Sequence, residues 1–256
     1  MKYKRLYKVV SGNMKKEMFE VENEVLSYVE SLKGINDELY RKILIGPTQE
    51  DNVKKAVEVL AWGGIVIFYS SATYGLAANA WDKGAIDKIY RIKKRDKNKP
   101  LSILTNKNKY KNITNLETDE QKVVEALIDK FCPGYVGIIC NKKKDMIPNY
   151  VNAGFETINI VCMDMASAML AEKADFPIAV TSANHSGETP ITNALQALEC
   201  FKEEELIDLF LLGPKSQMGV NTTLVKVTDI KNLEIIRPGP VAGEEIIRVA
   251  KKALTS

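Results

Sequence analysis

Residues 181–187, Thr181-Ser182-Ala183-Asn184-His185-Ser186-Gly187, crowd short hydroxyl and amide groups into one turn directly after the apolar run Phe176–Val180. A strand that ends this way sets donors and acceptors at its carboxyl end, where open α/β sheets place ligands, so the turn outlines a nucleotide or phosphate seat. The same residues would also suit a turn that caps the next helix. Pro190 stands between the turn and the next helical pattern and weakens that second reading. A cationic loop, Lys93-Lys94-Arg95-Asp96-Lys97-Asn98-Lys99-Pro100, lies between a helical pattern and the short apolar run 101–104. Alone it reads as a solvated loop. Beside the polar turn it tips the balance toward a ligand site. His185, the single histidine, falls within the turn and is expected to be a surface or ligand-flanking residue without proton chemistry.

These groups must be held by a sheet. Short apolar runs at 65–69, 101–104, 135–140, 158–162, 177–181, 208–212, 223–227 and 233–237 alternate with helical patterns near 82–93, 118–131, 164–174, 193–202 and 243–254. Some runs are joined by helices and others follow one another directly, which predicts a twisted mixed sheet with packed helices. Met18, Val21, Val25, Val29 and Leu32 recur at helical spacing before Gly34. A further helix is expected from Thr48 as N-cap through Val53, Val57 and Leu60 to the stop Gly63-Gly64.

The 256 residues carry 45% hydrophobic side chains and a formal net charge of +3. No window is apolar enough for a membrane span, and the basic amino terminus lacks a signal peptide's apolar core, so a cytoplasmic protein is expected. Cys132, Cys140, Cys162 and Cys200 form no Cys-x-x-Cys pair, which argues against structural zinc; Cys140 and Cys162 read as small core residues, and Cys132 could be exposed beside Pro133-Gly134. A net charge of +3 does not by itself call for nucleic acid, although 106–111 and 142–144 could form a local basic patch for RNA.

The Lys-x-Arg spacing of Lys93 and Arg95, the Ser-x-Asn of Ser182 and Asn184, the Tyr74-Gly75-Leu76 turn and the closing Arg237-Pro238-Gly239 together resemble the YrdC-like family of threonylcarbamoyl-AMP synthases and YciO-type proteins. The resemblance covers roughly residues 46 to 250. It implies an α/β fold with a mixed sheet around a concave basic cleft, an N-terminal extension at 1–46 and the family domain at 47–256. It also implies ATP with Mg2+, bicarbonate and an amino acid, L-threonine or another amine, as reactants in tRNA threonylcarbamoyladenosine biosynthesis. Lys93 and Arg95 would be the catalytic cations, and Ser182, Asn184 and Arg237 would join them in binding the nucleotide. Ser70, Ser71, Tyr74, Thr181 and Thr222 would hold the acceptor, and no protein-bound metal is implied.

The sequence departs from that pattern mainly on the acceptor side. The family's Pro-Thr-Asp/Glu-Thr is Tyr69-Ser70-Ser71-Ala72, its strand arginine is Val161, and its Trp-Pro-Gly-x-x-Thr ends in Gly137. An altered acceptor amine is therefore expected. The competing expectations are a YciO-like nucleotide- or RNA-binding protein with little synthase activity, and a subunit that docks a protein partner through its N-terminal helix.

Overall fold

The computed structural model describes residues 4–7 and 19–255. β1 (Lys4–Tyr7) and β2 (Phe19–Val21) form an antiparallel ribbon. The helix expected from Met18 begins only at Asn23, because residues 19–21 pair as a strand; Met18 itself lies outside the described residues. α1 (Asn23–Leu32) buries Val25, Val29 and Leu32 against the chain's own core, and α2 (Asp37–Arg41) leads into β3 (Ile43–Ile45).

In α3 (Glu50–Ala61) the N-cap position falls on Gln49 rather than Thr48, and the Gln49 side chain makes no capping bond but donates to Ile45 O. The Gln49 amide donates to Gly46 O, closing a turn that leaves Thr48 inside it. The expected stop holds: Gly63 has φ +78°, a conformation that favours glycine.

The remaining strands are β4 (Val66–Phe68), β5 (Gly75–Asn79), β6 (Ser102–Leu104), β7 (Val136–Asn141), β8 (Thr157–Val161), β9 (Ile178–Ser182), β10 (Leu209–Leu212), β11 (Thr223–Lys226) and β12 (Glu234–Arg237). Among the described residues they join β3 in a ten-stranded sheet of order β12-β11-β7-β8-β6-β9-β5-β4-β10-β3. β3, β10 and β4 run parallel, as do β6 with β8 and β7 with β11; the other pairs are antiparallel. The sheet is mixed, as the run spacing predicts. β3 and β5 are the strands that the apolar runs did not separate.

The central strands read as continuous apolar runs because helices cover both faces. On one face Ile65, Ile67, Phe210 and Leu212 meet α1, α4 (Lys83–Ile92), α6 (Thr118–Phe131), α8 (Ala194–Phe201) and α9 (Gly243–Thr255). On the other, Val66, Phe68, Leu209 and Leu211 meet α3 and α7 (Met165–Lys173). Phe68, Val161 and Val180 of that second face also line a cleft. Among the described residues no helix is long and apolar enough to cross a membrane.

Candidate active site

The cationic loop and the polar turn are built as one unit. α4 is capped at its start by the Asp82 carboxylate, which accepts from Ala85 N. At its end Lys94 adopts φ +48°, and the amides of Lys94 and Arg95 return to Arg91 O and Tyr90 O, the Schellman pattern. This reversal sends the side chains on either side of Lys94 to different places.

Lys93 is only 1% exposed. Its ammonium donates to Ser182 O at 2.5 Å, Asn184 O at 2.7 Å and Asn184 Oδ1 at 3.0 Å, three acceptors for three hydrogens. Ser182 Oγ donates to Asn184 Oδ1, Asn184 Nδ2 donates to Glu188 O, and Ser186 N donates to Lys93 O. Burial pushes the Lys93 ammonium down to about 8, the Arg95 charge adds to the fall, and Glu188 opposes it. Lys93 and Asn184 therefore stand behind the cleft and shape the turn, while Ser182 lines it. The turn does not cap the next helix, since α8 takes Asn193 as its cap. His185 keeps the same unit together, its Nδ1 lying 2.9 Å from Ile92 O and its ring edge-on to Phe201.

The cleft encloses about 700 Å³. Arg95 lines it, with Nε on Lys99 O and Nη2 on Pro100 O. Across from it Arg237 on β12 anchors Nε and Nη2 to Thr222 O at 3.1 and 2.9 Å. Each guanidinium uses two of its five donors on main-chain carbonyls and stays charged, although burial lowers both below the ordinary arginine range. Lys99 and Lys226 add two further cations, and no carboxylate stands among the described lining residues. The spacing did not single out these two lysines as site residues. For Lys226 a signal existed, because Thr222, Leu224 and Lys226 alternate toward the cleft with the period of a strand.

The expected acceptor residues divide. Ser70, Thr181 and Thr222 line the cleft, but Ser71 and Tyr74 do not. Ser71 is turned away: its amide donates to the carboxylate of Asp164, and its hydroxyl donates to Met163 O. Asp164 is buried and also accepts from Ser167 N and Oγ, capping α7; desolvation raises its carboxyl above the usual range. Tyr74 is fully buried, donating to Gly213 O at 2.7 Å and accepting from Gly213 N, so it clasps the 213 loop to β5. Burial raises its hydroxyl well above the ordinary value.

Outside the cleft the lysines of the expected basic patch are largely engaged. Lys107 pairs with Asp129, Lys111 with Glu125 and Lys144 with Glu156, while Lys142 is buried on Asn149 and Asn152. Cys132 is half-buried against the core rather than exposed, because residues 132–134 pack under α6 and β8.

The mixed sheet thus carries a cleft lined by four cations, several hydroxyls and a set of apolar side chains. The Sua5–YciO–YrdC family model, described as "Telomere recombination", matches residues 58–239. The chain belongs to this family. It is 34% identical over 215 residues to the putative threonylcarbamoyl-AMP synthase of Methanocaldococcus jannaschii, covering 80% of this chain and 96% of that protein. It is 30% identical over 204 residues to the threonylcarbamoyl-AMP synthase of Pyrococcus abyssi, covering 78% of this chain but 58% of that longer protein. The crystal structure of P. abyssi Sua5 complexed with L-threonine superposes with a TM-score of 0.72 at 27% identity, over 81% of this chain and 59% of that one.

Proposed function

We propose that this chain forms a carbamoyl-adenylate from ATP, bicarbonate and an amino acid, the threonylcarbamoyl-AMP synthase reaction or a close variant of it. The observation that carries the reading is the cleft lining: Arg95, Lys99, Lys226 and Arg237 with no carboxylate among the described residues around them. Like charges disfavour an ammonium, so this surrounding lowers the pKa of a bound amine and keeps it nucleophilic. The amine condenses with bicarbonate, losing water, to give a carbamate. A carbamate oxygen then bonds to the α-phosphorus of ATP as the bond to pyrophosphate breaks. Charge builds on the phosphoryl oxygens and on the leaving pyrophosphate. Fixed guanidinium donors stabilise it without reorganisation, the usual source of such rate enhancement.

Magnesium expected with ATP finds no carboxylate on the described cleft lining, and no cluster of metal-binding side chains occurs among the described residues. Magnesium would enter with ATP and supply charge neutralisation on the triphosphate beside Arg95 and Arg237. We place the chemistry in residues 47–256, with 1–46 an extension whose α1 and β3 complete the core. The test is release of pyrophosphate from ATP, with the product identified by mass spectrometry. Release that needs both bicarbonate and an amino acid supports the proposal. ATP binding with no such release, together with salt-sensitive RNA binding, would favour the binding-protein alternative.

A further inference from the structure

Five consecutive strands contribute one row of residues to the cleft floor. Lys226 pairs with Ile139, Ile139 with Asn159, Asn159 with Ser102, and Ser102 with Val180, and all five line the cleft. Residues directly opposite one another share a face, so Lys226 and Asn159 project together with one strand between them, about 9–10 Å apart at Cα. A lysine side chain bridges most of that gap.

Asn159 is fixed at one end and unpaired at the other. Its Nδ2 donates to Ser102 Oγ at 2.8 Å, while its Oδ1 is buried without a partner among the described residues. A buried carbonyl oxygen left unpaired is destabilising, so such an atom at a cleft calls for an explanation. Gly137 makes room for the Asn159 amide: a Cβ there would lie 2.7 Å from Asn159 Oδ1 and 2.5 Å from Leu224 Cδ2. The chain has glycine at the place where the family resemblance expects threonine.

We propose that Asn159 and Lys226 form the acceptor subsite of this chain and select an α-amino acid over a plain amine. Asn159 Oδ1 accepts an N–H from the amino group, and the Lys226 ammonium holds the carboxylate. The neutral amide suits the reaction. A carboxylate in its place would favour the protonated amine, whereas Asn159 orients the amine and leaves its lone pair free for carboxylation. The cation expected at 161 and the polar groups expected at 70–72 are then replaced from a different part of the sheet.

The proposal rests on the synthase reading, and direct binding separates the two. Calorimetry with ATP present and bicarbonate removed would compare L-threonine, its carboxamide and a panel of other α-amino acids and simple amines. Asn159→Leu should weaken L-threonine and the carboxamide about tenfold. Lys226→Met should weaken L-threonine about tenfold and leave the carboxamide unchanged. ATP affinity should stay within about twofold in Asn159→Leu. If Asn159→Leu fails to fold, Asn159→Ser shortens the side chain out of reach and gives the same reading. Loss of ATP affinity with unchanged amino-acid binding would overturn the assignment, as would no change in either ligand or a parent protein that binds ATP but only carboxylate-free amines. A parent that binds no ATP would instead defeat the synthase reading, and amino-acid binding without nucleotide would still test the pair.

Discussion

The Lys93 ammonium donates to both the main-chain oxygen of Asn184, at 2.7 Å, and its side-chain Oδ1, at 3.0 Å. This pairing makes Lys93 a residue that positions the Ser-x-Asn turn from behind. Lys93→Met should therefore cost about 1–3 kcal/mol of stability, since three acceptors lose a charged donor. In a double-mutant cycle with Asn184→Ala the two losses should be strongly non-additive. Additive losses, or a variant as stable as the parent, would show that the lysine does not hold the turn.

The same lysine gives the protein a pH signature. Its value in the folded state, about 8, lies below its ordinary value of 10.5. Between those pH values the unfolded chain binds the extra proton, so Lys93 makes stability rise with pH through that window. Denaturant melts of the parent and of Lys93→Met from pH 7.5 to 9.5 should diverge, the parent gaining relative to the variant as pH increases. Parallel curves would contradict the burial argument.

Arg95 and Arg237 carry the opposite expectation, because both line the cleft. Replacing either with alanine should weaken ATP binding by about 1.5–3 kcal/mol, the scale of charge-assisted hydrogen bonds, with a smaller effect on folding. Equilibrium dialysis with labelled ATP checks this. Affinity equal to the parent's in both variants would remove the triphosphate from this part of the cleft.

Asp164 joins two segments that sequence distance separates. Its carboxylate accepts from Ser71 N and from Ser167 N and Oγ. Asn offers one acceptor oxygen where the carboxylate has two, so Asp164→Asn should lose either the α7 cap or the Ser71 tether. The expected cost is about 1–3 kcal/mol in chemical denaturation. A variant with unchanged stability would show that the tether contributes nothing.

Much of the sheet could be read from apolar runs, because strands buried on both faces leave continuous hydrophobic stretches. β3 and β5 escaped for different reasons. Ile43–Ile45 is three residues long, and Gly75–Asn79 is made largely of small residues inside what reads as one motif. Arg95, Ser182 and Arg237 were legible as cleft residues from spacing and resemblance. The burial of Lys93, Asn184, Ser71 and Tyr74 was not, since residue type does not reveal which polar group an adjacent turn consumes. Asn159 and Lys226 become visible only once the strand register aligns them.

The central claim is an ATP-consuming synthase working in this cleft, and pyrophosphate release under four reactant conditions tests it most directly. With ATP, bicarbonate and an α-amino acid together, pyrophosphate should accumulate alongside an equal amount of a carbamoyl-adenylate seen by mass spectrometry. Omission of any one reactant should abolish both signals. Pyrophosphate release that ignores bicarbonate and amino acid, or none at all from a protein that binds ATP, would contradict the account.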